Sequence, residues 1–116
     1  YTPEGFARYV KERLDCSGVR FIKTCNEISK VGICSGAGGD LIDKAKKLNV
    51  DAFVTGEIKH HEILFASENN ICVVDAGHFK TEDVVILPLV KMLSKEFSDI
   101  EFIKSRECDD GIKYLV

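Results

Sequence analysis

The segment Asp75-Ala76-Gly77-His78-Phe79-Lys80-Thr81-Glu82 holds an imidazole and a carboxylate four residues apart. It follows an apolar run, Ile71-Cys72-Val73-Val74, that reads as a buried strand, and it precedes an amphipathic pattern that reads as a helix. His78 is therefore expected where the strand gives way to a loop, and Glu82 in the first turn of the next helix. A nitrogen donor and a hard oxygen donor at the mouth of a sheet suit a divalent cation such as Zn, Fe, Mn or Ni. Two ligands hold a metal poorly, so the pair reads as half of a site. Asp75 is placed to orient a histidine ring through a further hydrogen bond. The rival reading makes Glu82 a helix-start charge and His78 a loop residue, and the residue types alone leave both readings open.

Two other segments carry chemistry-bearing residues. Thr55-Gly56-Glu57-Ile58-Lys59-His60-His61-Glu62 sets two histidines and two carboxylates just after a strand pattern. That suits metal ligation or acid–base work, or else a solvated helix start with one histidine packed inside. Adjacent helical positions diverge by about 100 degrees, so only one of His60 and His61 faces a given site. His61 aligns with the stripe from Ile58 to Phe65 and is the better candidate for an additional cleft residue. Ser35-Gly36-Ala37-Gly38-Gly39-Asp40 can cradle a phosphate at a helix N-terminus. It lacks the Lys and Ser/Thr of a P-loop and falls one residue short of the dinucleotide spacing. The plainer reading is a tight turn that lets the helix pack close to the strand.

The elements that must position these residues follow from pattern. Thr2-Pro3 starts a helix in which Phe6, Tyr9, Val10 and Leu14 recur at helical spacing. Strands are expected over Val19 to Lys23, within Ile28 to Cys34 and ending in Val31-Gly32-Ile33-Cys34, over Asp51 to Thr55, over Ile71 to Asp75 and over Ile100 to Ile103. Helices are expected after a cap at Asp40, from Glu57 to about Glu68, and from an N-cap at Thr81 to about Phe97, the last bent at Pro88. The alternation predicts an α/β fold, a mainly parallel sheet with helices on both faces. In such sheets the functional loops lie past the carboxyl ends of the strands, where all three segments fall.

The chain has 116 residues, 45% hydrophobic and 30% charged, with a net charge of -3, which predicts one domain over residues 1–116. No basic excess points to nucleic acid, and no apolar run approaches the roughly 18 residues of a membrane span. The five cysteines are odd in number and lack C-x-x-C spacing. Cys34 and Cys72 sit in apolar runs and read as reduced core thiols, which predicts a reducing, cytoplasmic setting.

Three motifs in order are more specific than any one. Val31-Gly32-Ile33-Cys34-Ser35-Gly36-Ala37-Gly38-Gly39-Asp40-Leu41-Ile42, then the run from Asp51 to His61, then the run from Asp75 to Glu82 resemble the NIF-three-like dinuclear metal-centre family, the YbgI/YqfO type. Its members are often named GTP cyclohydrolase type 2 homologues. The resemblance runs from Glu4 to about Ile103. It implies a pair of divalent metals, a hexameric ring and hydrolase-like chemistry on a nucleotide ring, with His78 and Glu82 of G-H-x-x-x-E as metal ligands. His61 matches a histidine often seen in the family's cleft, outside the ligand pair. Family proteins carry two similar lobes, and the resemblance reaches only the second; the first normally brings a His-His pair and an aspartate. The expectation is thus a single lobe contributing half of a dinuclear site, either a domain fragment or a short protein completed by other chains. In a complete site, Glu57 or Glu62 would manage protons and Ser35–Asp40 would receive phosphates. The alternative is a non-catalytic metal-binding scaffold or interaction module that assembles through its apolar faces.

Overall fold

Thr2 and Pro3 start the first helix as their types require. Thr2 Oγ1 accepts the Gly5 N–H at 3.1 Å, and Pro3 takes the first helical position, where a missing N–H costs nothing. In the computed structural model, which describes residues 1–24 and 26–115, this helix is α1 (Pro3–Arg13). It is followed by β1 (Arg20–Phe21), β2 (Val31–Ile33), a 3₁₀ turn (Gly39–Leu41), α2 (Ile42–Lys47), β3 (Ala52–Thr55), α3 (His60–Glu68), β4 (Cys72–Asp75), α4 (His78–Asp83) and α5 (Ile86–Glu96).

The strand order is β1-β4-β3-β2. The pairs β2–β3 and β3–β4 are parallel, and β1 closes one edge antiparallel to β4. Every residue of β3 and β4 is buried, as expected of central strands covered on both faces. Alternation divides them. Ala52, Val54, Cys72 and Val74 pack with Phe6, Ala7 and Val10 of α1, while Phe53 and Val73 pack with Ile42 and Ala45 of α2 and Ala66 of α3. The expected α/β architecture, mainly parallel with helices on both faces, is therefore the one observed. No helix among the described residues is long and apolar enough to cross a membrane.

Several boundaries differ from the sequence expectation. The helix expected from Thr81 to Phe97 is two helices. Proline at position 88 lacks an N–H, and its ring crowds the carbonyl four residues back, at Val84, so the helix breaks there instead of bending. Pro88 is then the third residue of α5, where backbone N–H groups have no intrahelical partner in any case. Thr81 lies inside α4 and caps nothing. The third helix begins at His60, so Glu57 belongs to a loop. Asp40 sits in the 3₁₀ turn and α2 has no side-chain cap. Residues 100–103 form no strand, and β1 has only two residues.

Burial within the sheet pushes the Cys72 thiol up to about 11, while Cys108 is exposed. Alkylation of the native protein at mildly alkaline pH is expected to modify Cys108 and spare Cys72 until denaturant is added. Peptide mapping by mass spectrometry reads this directly.

Candidate metal centre

The parallel register sets Thr55 beside Asp75, so β3 and β4 end side by side. Asp75 is buried and pairs with Arg20, its partner across the β1–β4 ladder, with Nε at 3.2 Å and Nη2 in contact with the same oxygen. Its other oxygen accepts the Gly77 N–H at 3.1 Å. Gly77 has φ +84°, a conformation that glycine adopts without a Cβ penalty. Asp75 thus shapes the turn that starts α4, and it does not hold a histidine ring as the sequence suggested.

His78 is the first residue of α4 and Glu82 lies one turn on, so both project from one helix face. His78 Nε2 and Glu82 Oε1 are 3.2 Å apart. His78 Nδ1 is 3.1 Å from Glu57 Oε2, which reaches it from the β3–α3 loop. All three side chains are about half exposed, so this is an open surface site. The hydrogen bond that Glu57 accepts, and next the charge of Glu82, raise the basicity of His78 above the ordinary imidazole range.

The donor set fits a divalent ion. Two donors 3.2 Å apart can share one ion at the usual bond lengths of about 2.0–2.2 Å. Gly36 forms the floor: a Cβ there would lie 2.5 Å from Glu82 Oε1 and 3.2 Å from His78 Nε2, and its φ is +64°. Among the described residues no group of three or more His, Cys, Asp and Glu could hold a metal. His78 and Glu82 are thus two donors, fewer than the three or four protein ligands of an ordinary metal site.

The glycine-rich loop makes the tight turn. The Gly36 N–H donates to Thr81 Oγ1 and the Gly38 N–H to Thr55 Oγ1, both at 2.9 Å, and Thr55 Oγ1 donates to Gly36 O at 2.9 Å. Those two amides are thus turned inward, away from any phosphate. Thr81, read from sequence as a cap, is instead the buried hydroxyl that ties this loop to α4, and no sequence signal marked it for that role.

His60 and His61 open α3 and are exposed. His61 lies 3.9 Å from Glu62 and lines a shallow cavity of about 340 Å³ with Asp40, Asp43 and Phe65. His78's ion-pair partners are Glu57 and Glu82, and His61 is not among them. The expectation that His61 follows a buried stripe fails because α3 starts later than the pattern suggested. Glu62 accepts the Lys59 N–H at 2.6 Å, capping α3, and lies against Gly39.

The Duf34/NIF3 (NGG1p interacting factor 3) family matches residues 1–110. A GTP cyclohydrolase 1 type 2 homolog from Clostridium perfringens is 32% identical over 108 residues, covering 91% of this chain and 41% of that protein. A NIF3 homolog from Schizosaccharomyces pombe is 30% identical over 114 residues, covering 89% and 40%. The crystal structure of the Staphylococcus aureus hypothetical protein SA1388 superposes with a TM-score of 0.90 at 30% identity, over 99% of this chain and 40% of that one. The chain thus spans about two fifths of the length of these relatives.

Replacing Gly36 by alanine is expected to lower divalent-metal affinity at least tenfold by displacing Glu82. The forced positive φ should cost about 1 kcal/mol of stability. Chelator competition and thermal melting separate the two effects; unchanged affinity would remove Gly36 from the site.

Proposed function

The chain belongs to the Duf34/NIF3 family, and from that premise we propose that it is a divalent-metal-binding lobe supplying half of a two-metal, hydrolase-type site. The observation that carries this reading is the approach of His78 Nε2 to Glu82 Oε1 at 3.2 Å above the side-chain-free Gly36. A bound divalent ion supplies Lewis acidity and lowers the pKa of water towards neutrality. His78 and Glu82 hold it, and Asp75, Gly77 and Thr81 fix the helix start from which they project. The remaining ligands come from another lobe or another copy. The relatives' name points to a purine nucleotide ring as substrate, taken at the open side of the site, and the free thiols Cys16, Cys34, Cys72 and Cys108 accord with a reducing cytoplasm.

A second reading has its own support. Helix α5 has no buried residue, and Leu87 and Met92 are each 62% exposed on an amphipathic helix. An apolar face of this kind favours assembly, so the lobe would work as a metal-binding scaffold within a homo-oligomer, the hexamer of the family resemblance. Loss of the oligomer on chelation would select the scaffold; an oligomer indifferent to chelation but active only with metal would select the hydrolase.

Elemental analysis together with mass in solution tests the metal reading. In the complete protein, where the other lobe or copy supplies the remaining ligands, His78→Ala is expected to abolish bound metal, and a variant that retains a two-metal content overturns the assignment. Metal uptake should also depend on pH with a definite sign. Nε2 must be unprotonated to bind, and the raised basicity of His78 favours the proton. Affinity is therefore expected to fall as pH drops, beginning at a higher pH than for an isolated imidazole, with proton release on binding. Calorimetry in buffers of different ionisation enthalpy checks both.

A further inference from the structure

His78 stands between two carboxylates carried by different elements. Glu82 approaches Nε2 at 3.2 Å from the same helix. Glu57 approaches Nδ1 at 3.1 Å from the β3–α3 loop, in hydrogen-bond geometry. A neutral imidazole has one N–H and one lone pair. It can donate to only one of these carboxylates and must turn its lone pair on the other. Which nitrogen keeps the proton is set by the hydrogen bond made at that proton.

The backbone around Glu57 is fixed on both sides. Before it, a Cβ on Gly56 would lie 2.7 Å from both Gly77 O and His78 Cα, so only glycine lets this loop rest on the start of α4. The Gly56 N–H donates to Gly36 O at 2.8 Å. After it, Ile58 is buried in the α2–α3 core, and its carbonyl accepts from Arg20 Nη2 at 3.4 Å. Glu57 is exposed as a side chain and anchored as a residue. It is set against the ring nitrogen that points away from Glu82.

We propose that Glu57 is a positioning residue for His78: it accepts the Nδ1–H and thereby leaves Nε2 as a lone-pair donor beside Glu82 for a divalent cation. This rests on the reading of His78 and Glu82 as metal ligands. It assigns Glu57 to the ring, in place of the proton management that the sequence suggested. The unfavourable meeting of the Nε2 lone pair with the Glu82 carboxylate is what a cation between them relieves. A carboxylate partner on the free N–H of a ligating histidine also raises the basicity of the ligand.

Two measurements on the full chain test this. Long-range ¹H–¹⁵N spectra of the metal-free protein with neutral rings should place the His78 proton on Nδ1 in the wild type. Glu57→Gln, whose amide oxygen still accepts, should keep that tautomer, and Glu57→Ala should lose it. Zinc affinity by chelator competition should weaken about 10- to 100-fold in Glu57→Ala and stay within a few-fold in Glu57→Gln. Melting temperatures of the metal-free variants should stay within about 2 °C of wild type, because the side chain is exposed. Wild-type tautomer and affinity in Glu57→Ala would overturn the proposal, as would a parallel loss of melting temperature, which marks a structural role. If the wild type takes no zinc while the tautomer shifts as expected, the metal reading fails and the positioning of the ring stands.

Discussion

Everything at the candidate site depends on how closely the β3 and β4 exits approach each other. Glycine at 56 lets the β3–α3 loop lie on the Gly77 carbonyl and the His78 Cα, and glycine at 36 lets the preceding loop lie beneath Glu82. Two buried hydroxyls, Thr55 and Thr81, then satisfy the amides that this contact removes from water. A buried amide without a partner would cost roughly 1–3 kcal/mol, so the glycines and the threonines are jointly required. The glycine-rich run is in this sense a packing device first, and its chemical consequence is a floor without side chains under a His–Glu pair.

The electrostatics follow from that packing. Asp75 is buried and is neutralised by Arg20 and bonded to the Gly77 amide, so it is committed to the turn. Glu57 and Glu82 are exposed and converge on one imidazole. In water such pairs are screened and add little to stability. Their arrangement around His78 therefore matters for what the site attracts far more than for holding the fold together, and the charge they concentrate is of the sign that draws a cation.

Much of this was legible in the sequence, for reasons that can be stated. The central strands were readable because Ala52–Thr55 and Cys72–Asp75 are apolar runs with no competing helical period. The His78–Glu82 pair was readable as residue types at i, i+4 spacing, but the pattern put the helix start at Thr81 and left His78 in the loop, whereas α4 begins at His78 and carries both residues. What was not legible depends on contacts distant in sequence. Asp75 and Glu57 are both acidic residues at strand exits, and only the antiparallel pairing of Arg20 to Asp75 decides which one is left for the histidine. Similarly, Thr81 is a good N-cap by type, and only its contact with Gly36, 45 residues away, makes it a tether.

The two-donor His78–Glu82 pair and the exposed α5 are neighbours along the chain. Helix α5 follows α4 after the break imposed by Pro88, so its apolar residues begin within one short turn of Glu82. A surface that covered Leu87 and Met92 would therefore be brought to the neighbourhood of the His78–Glu82 pair. A partner surface that buries this helix can present further donors to the same ion, and burial would lower the local dielectric and strengthen every charge interaction there. On the proposed reading, assembly and metal binding in this lobe would be one linked equilibrium, with an ion favouring the closed interface by the amount that the interface tightens the ion.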